Sequence, residues 1–498
     1  MFLLLVTSLL MVVVVYVYSR WKSVSRYWAD RGVPHEKPNP LVGSLTFMLH
    51  ENAGAFFRNM YGKYNATRAP YNGIWYFWKP VLVVNCPDIA RNILVKDSKN
   101  FRNRHVNSGA NDPVGGLNIF TVKDPLWTKV RNRLTPVFTT AKLRQIHPYI
   151  QLKTKELLQR VDLEKDNRFS LRDTLADFAT DVIGTSAFGV ASNATLTGDD
   201  PLRTITRHMM QFSIYRGIAM SSIFFWPELV NTFRFTFFPK RATEYFKKIF
   251  KIISDQRQRD NTRNTDLLDA ILQIKKEATL DGEDYSDDLL IAQSLIFLQA
   301  GFDTTAVTLT FVILELAFEP SMQEKLHAEL LKVKEKSDTE LLNPDILEGS
   351  PYLNSALKET LRKYPPMPWL DRQAEHDYVI DDKLTIKAGT PVAVNSIGMH
   401  FDPEYFPDPY KFDPERFLPE NENNIKPYTY LPFGDGPRVC IGKRLGLLTI
   451  RIALSALVLK YKFEPYADTK PPNETEIEKK GVFYMPGEKI CVKFVPRV

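Results

Sequence analysis

The stretch that most restricts this chain's fold lies between Ser286 and Pro320. From Leu289 to Phe318, thirty residues carry only two charges, Asp303 and Glu315. Ser286 can cap a helix whose first turn holds Asp287 and Asp288, and Pro320 stops it. Such a helix is about 45 Å long, so it either crosses a membrane or runs through the middle of a large core. Gln293, Gln299, Asp303 and four threonines along it favour the core.

The surrounding pattern gives the fold class. Helical periodicity marks Pro148 to Val161 and Lys240 to Arg259, while strand patterns cluster at Ile74 to Val84, Tyr378 to Val394 and Gly481 to Phe494. The reading is mainly α with small β-sheets. Beyond Val42 there is no second linker, internal repeat or low-complexity tract, so residues 43–498 read as one large domain despite a length of 498 residues.

The amino terminus reads differently. Met1 to Ser19 has no charged side chain and is apolar all round, which at helical rise spans about 28 Å, close to a hydrocarbon core. Arg20, Lys22 and Arg26 follow at once. By the positive-inside rule that flank and the domain behind it are cytoplasmic. A cleavable signal fits less well, because no basic residue precedes the apolar run and it ends in bulky Tyr16, Val17 and Tyr18. Residues 1–19 are therefore read as an uncleaved transmembrane anchor, and 20–42, with Pro34, Pro38 and Pro40, as a basic and stiff linker. The sequons at Asn65, Asn193 and Asn473 would point to the lumen if used, but the anchor's flank outweighs them.

Charge and cysteine usage exclude several classes. A net charge of +7 spread over this length gives no footprint for nucleic acid. The three cysteines, Cys86, Cys440 and Cys491, form neither a disulfide framework nor a zinc-type spacing.

Two short segments carry chemistry. Ala300-Gly301-Phe302-Asp303-Thr304-Thr305 puts an acid and a hydroxyl in mid-helix, where neither is favoured, beside a glycine that costs about 1 kcal/mol there. On its own this is either a kink with solvent access or a notch where a small ligand is protonated; Gly301 implies something packed close to the backbone. Pro432-Phe433-Gly434-Asp435-Gly436-Pro437-Arg438-Val439-Cys440-Ile441-Gly442 ends a loop and opens an apolar helix, Ile441 to Leu459. A cysteine at a helix amino terminus is favoured as a thiolate, a good axial ligand for iron. Gly436 and Gly442 would let a macrocycle approach, and Arg438 offers a cation to a carboxylate.

With these residues the chain resembles the cytochromes P450. Phe433-x-x-Gly436-x-Arg438-x-Cys440-x-Gly442 is similar to that family's haem-binding signature, and Ala300-Gly301-x-Asp303-Thr304 to its oxygen-activation segment. Glu359-x-x-Arg362 resembles its buried ion pair, although three residues apart on a helix the two could equally be a surface pair, and Pro414-Glu415-Arg416-Phe417 the segment that completes the network. The four motifs occur in the family's order. The resemblance implies the cytochrome P450 fold, haem b with Cys440 as axial ligand of the iron, and propionate partners at Arg438, Trp127, Arg131, Arg372 and Arg104. Phe433, Gly436, Gly442, Ala300 and Gly301 are the further cofactor contacts it implies, and Asp303 and Thr304 the proton-delivering pair.

It also implies a monooxygenase that inserts one atom of O2 into a small lipophilic substrate. No dinucleotide or flavin motif is present, so electrons must come from a partner. NADPH–cytochrome P450 reductase is implied, with cytochrome b5 as a second donor. Lys129, Arg131, Arg133, Lys142, Arg144, Lys443 and Arg444 form a candidate basic face for an acidic flavoprotein, or simply a solvated surface. The entry Tyr27-Trp28-x-x-Arg31-Gly32-Val33-Pro34 and Thr135-Pro136-x-Phe138-Thr139 look most like insect microsomal members of the endoplasmic reticulum, many of which oxidise plant toxins or insecticides. Alternatives are a hormone or lipid hydroxylase, a peroxide-rearranging haem-thiolate enzyme, which Asp303 and Thr304 disfavour, and a non-catalytic haem binder. Phe120, Phe212, Phe297, Leu370 and Phe483 suit an apolar pocket.

Overall fold

The computed structural model describes the chain apart from residues 66, 191, 261–266, 281, 284, 336–341 and 498. Its axis is the charge-poor stretch, a single helix Asp287–Phe318 capped by Ser286, whose hydroxyl accepts from the Leu289 N–H. The helix is buried along most of its length and packs chiefly on helix Leu171–Phe188, so it is a core helix. Both of its charges are met inside the protein. Asp303 Oδ1 lies 2.8 Å from Arg172 Nη2, and Glu315 Oε1 lies 2.7 Å from Lys363 Nζ while accepting from the Tyr364 hydroxyl at 2.7 Å. Leaving either acid unpaired at this depth would cost several kcal/mol, roughly the desolvation penalty of one buried ion.

The helix expected from Pro148 begins earlier, as Thr140–Glu164, with Pro148 in its interior. Leu143, Ile146, Ile150 and Leu157 are buried on both sides of the proline. That continuous apolar stripe outweighs the ~3 kcal/mol cost of an interior proline. Helix Lys240–Asp260 lies where the periodicity places it.

Among the described residues, three small sheets border the helical core. Strands β1 (Tyr71–Tyr76) and β2 (Lys79–Val84) form an antiparallel hairpin. Two further pairs are local ribbons, β4 (Tyr378–Asp381) with β5 (Leu384–Ile386) and β7 (Tyr461–Pro465) with β8 (Val492–Pro496). The hairpin continues into a four-stranded sheet in which β2 runs parallel to β6 (Pro391–Val394) and β6 antiparallel to β3 (Leu370–Gln373). The strand expected from Gly481 is irregular until Val492. Its Phe483, Tyr484 and Met485 turn toward the interior cavity described below instead of pairing.

At the amino terminus Phe2–Arg26 is one helix with no buried residue, long and apolar enough to cross a membrane. It runs through the basic flank without stopping at Ser19. The chain then docks on the sheet. Trp28 is fully buried and its Nε1–H donates to Ile74 O at 3.1 Å, while Trp75 Nε1–H donates to Val24 O at 3.0 Å. Gly73 makes room for this: a Cβ there would fall 2.3 Å from the Trp28 ring.

Candidate active site

The cysteine loop is shaped by two left-handed glycines. Gly434 and Gly436 both have φ of +71°, and a Cβ on Gly436 would lie 1.9 Å from Leu94 O. Gly436 therefore serves a tight crossing under that carbonyl and does not line the cavity, contrary to its expected cofactor contact. Gly442 does line it, with no atom near the place a Cβ would take. The Cys440 N–H donates to Phe433 O at 3.0 Å and closes the loop.

Cys440 turns its uncovered surface into an internal cavity of about 320 Å³. Protein surrounds it otherwise, so burial pushes the thiol up, while the Gly442 N–H, Arg131, Arg104 and Lys443 favour the thiolate. The helix beyond starts at Lys443, three residues on, rather than at Ile441. The dipole expected to favour a thiolate thus acts from farther away, and burial outweighs it in the protein alone.

The central helix forms the facing wall, where Ala300, Gly301, Asp303 and Thr304 all line the cavity. Thr304 is exposed to it and donates to Ala300 O at 2.6 Å, whereas Thr305 is buried. The close neighbour that Gly301 implied is Ile183, whose Cδ1 would lie 2.7 Å from a Cβ. Arg172 was not legible in the sequence. It pairs with Asp303 from another helix, lies 3.1 Å from Met485 Sδ and remains 28% exposed, so the acid is linked to the outside. Phe120, Phe297, Leu370 and Phe483 complete the apolar wall as predicted. Phe212 does not: it sits past the end of helix Pro201–Met210, half-exposed under Lys480, outside the cavity.

Trp127, Arg131, Arg104, Arg372, Phe433 and Arg438 all reach the cavity. Arg438 stacks on the Trp127 ring at 3.9 Å and donates to Arg102 O, Ile119 O and Val122 O. Arg131 turns inward to Val439 O at 2.9 Å, so it does not belong to the basic outer face. Of that face, Lys129 and Arg133 meet Glu283, and Arg144 lies 3.2 Å from Asp345; Lys142, Lys443 and Arg444 are exposed.

The inward cations crowd one another. Burial together with Arg104 and Arg372 lowers Arg438 to about 8, and burial together with Arg104 lowers Arg372 to about 9. Lys123, whose ammonium donates to Arg104 O and Val106 O, is lowered to about 8 by burial, Arg438 and Arg104.

Behind the loop, the Glu359–Arg362 pair is fully buried. Arg362 Nε and Nη2 lie 2.7 and 2.8 Å from the two Glu359 oxygens, and Arg416 Nε lies 3.6 Å from Glu359 Oε1. His400 ties this pair to the cysteine loop. Its Nε2 accepts from the Leu431 N–H at 2.9 Å, so Nδ1 carries the proton and donates to Arg362 O at 3.0 Å. Burial and Arg362 lower His400 to about 3, keeping it neutral.

The sequence model of the Cytochrome P450 family matches residues 33–494. The chain belongs to the cytochrome P450 family. It is 34% identical to cytochrome P450 6k1 of Blattella germanica over 90% of this chain and 89% of the relative. It is also 33% identical to probable cytochrome P450 6g2 of Drosophila melanogaster over 92% of each. A P450 is a haem-dependent monooxygenase whose electrons come from a redox partner. The residues present suit a haem. The cavity sets a sulfur opposite a hydroxyl-bearing helix, and Arg104, Arg372, Arg438 and Lys123 gather around Asp371 and Asp124, the latter shared with Arg102. That surplus of positive charge matches a group bearing two carboxylates. The Arg104 Nε–H is buried with no acceptor, one of the donors such a group would satisfy.

Proposed function

We propose that this P450 is a microsomal monooxygenase that oxidises small lipophilic xenobiotics. Haem b would be held by Cys440 as axial ligand, with Arg104, Arg131, Arg372, Arg438 and Trp127 around its propionates. The carrying observation is the single cavity that joins Cys440 to the Asp303–Thr304 notch. Three methionines in its wall, Met210, Met367 and Met485, favour a broad substrate range, because unbranched thioether side chains re-pack around different shapes.

The haem would supply electron acceptance and oxygen activation, with thiolate donation favouring O–O cleavage. The chain's own residues do the rest. Arg172 and Asp303 form a polar line from the outside to the helix notch, and the Thr304 hydroxyl, free to swing from Ala300 O, presents a proton at the cavity surface. The aromatic wall excludes water and presses an apolar substrate toward the sulfur side. NADPH–cytochrome P450 reductase would dock near exposed Lys142, Lys443 and Arg444, and cytochrome b5 is a second candidate donor. Residues 1–19 would cross the endoplasmic reticulum membrane once, 20–42 connect, and 43–498 catalyse in the cytoplasm.

The test is a product screen with reductase, NADPH and a panel of plant and synthetic lipophiles. Mono-oxygenated products from several unrelated scaffolds support the reading. Turnover confined to one endogenous hormone or lipid would replace it, and no NADPH-coupled product would leave a haem binder.

A further inference from the structure

One carboxylate in the cation group has no role in the function proposed above. Asp371, 8% exposed on β3, immediately precedes Arg372, and strand alternation sends the two side chains to opposite faces. Both its oxygens are engaged. Oδ1 accepts from Arg104 Nη1 at 2.7 Å, and Oδ2 accepts from the His105 and Val106 N–H groups at 2.9 and 3.3 Å. Asp371 thus grips Arg104 at its head and grips the backbone that follows it.

The consequence for Arg104 is specific. Its guanidinium lies over the Phe120 ring at 4.5 Å, lines the cavity, and is held from one side only, which leaves the buried Nε–H without an acceptor. Asp371 also carries charge: burial pushes its carboxyl up, but Arg104 and Arg372 outweigh this and hold it at about 2. It is therefore an anion throughout the neutral range, set among Arg104, Arg372, Arg438 and Lys123.

We propose that Asp371 is a positioning residue for the haem seat: it pins Arg104 so that its idle Nε–H meets a propionate, and its charge tempers the field of the surrounding cations. This rests on the haem reading above. The two halves have separable signatures. Loss of the pin loosens the haem, and loss of the negative charge favours the reduced iron, which carries one positive charge fewer, so the midpoint potential rises. Removing the Arg104 charge must move it the other way.

The experiment uses the full-length haem-loaded chain in lipid nanodiscs. It measures the ferric/ferrous midpoint by dye-coupled titration and the rate of haem transfer to apomyoglobin. Asp371→Asn is expected to raise the midpoint and speed haem transfer by about tenfold or more, the low end of losses seen when a second-layer partner is removed. Arg104→Gln should lower the midpoint and also speed transfer, and the two transfer effects should be non-additive in the double variant. Asp371→Glu should keep the wild-type midpoint but transfer haem faster, because its longer side chain displaces Arg104; this variant decides if Asp371→Asn does not fold. An unchanged midpoint in Asp371→Asn, shifts of the same sign in Asp371→Asn and Arg104→Gln, or wild-type transfer in Asp371→Glu would each overturn the proposal. A wild-type chain lacking the ferrous–CO thiolate band would instead overturn the haem reading itself.

Discussion

Replacing Arg362 by alanine removes the hub beneath the cysteine loop. Its guanidinium makes both bonds to Glu359 and reaches His400 O, Pro409 O and Lys411 O at 2.7, 2.8 and 3.4 Å. After truncation the fully buried Glu359 keeps only the Asp413 N–H at 2.9 Å and Arg416 at 3.6 Å. Breaking a buried pair from one side costs about 3–5 kcal/mol. Arg416 softens the loss and the stranded carbonyls deepen it, so about 4 kcal/mol is expected, the middle of that range. At ~1.4 kcal/mol per decade this is about a thousandfold in the folded-to-unfolded ratio. Urea unfolding read by tryptophan fluorescence gives the stability, and the ferrous–CO spectrum gives haem per chain; both should fall together. Arg416→Ala, at the edge of the network, should cost about 1 kcal/mol. Equal urea midpoints for wild type and Arg362→Ala, or a larger loss in Arg416→Ala, would refute the reasoning.

Cys440→Ala should abolish the ferrous–CO thiolate band and turnover while the chain still folds, and an unchanged band would remove Cys440 from the iron. Thr304→Ala should keep that band and substrate binding yet lower product per NADPH by about 10- to 100-fold, with the difference appearing as hydrogen peroxide; unchanged coupling there, with lost coupling in Thr305→Ala, would assign the role to the other threonine. His400 is held at about 3 against an ordinary 6.5, so the unfolded chain binds its proton first as pH falls. Its contribution is full above pH 6.5 and is lost from there toward 3; His400→Gln should flatten the slope of stability against pH between about 4 and 6, and a slope equal to wild type counts against it. Deleting residues 2–19 should shift the protein from membrane to supernatant without changing the CO spectrum, because those residues are exposed throughout and the docked end of the helix, from Trp21 on, is kept; retention in the pellet after a carbonate wash would contradict the anchor.

Local features were legible in the sequence, and meetings across the fold were not. The central helix shows in its composition and its Ser286 cap, and the gathering of Cys440, Thr304 and the cavity arginines at one cavity agrees with what the resemblance to the family implies. Arg172 does not, since nothing in the linear chain ties it to Asp303, 131 positions away. His400 bridges two segments that are separate in sequence, and only the folded backbone shows that both ring nitrogens are used. The loop motif suggests that Gly436 makes room for a cofactor, but what demands a glycine there is Leu94 O, a carbonyl more than three hundred residues earlier. Periodicity marks a helix only from Pro148 to Val161, whereas the core on both sides of the proline keeps a longer helix whole.

The docking of the amino-terminal helix has a mechanical consequence. Because Trp75 holds the carbonyl of Val24 and Trp28 is locked beneath β1, the helix end and the sheet move as one lever. An apolar helix longer than the local hydrocarbon layer tilts to fit, and it stands more upright where the layer is thicker. A lever without a free joint passes that rotation to the body it carries. With the anchor proposed above inserted in a bilayer, the layer's thickness would set the angle at which the catalytic domain leans over the lipid, and with it which of its faces is buried against headgroups and which is left open to an approaching electron donor.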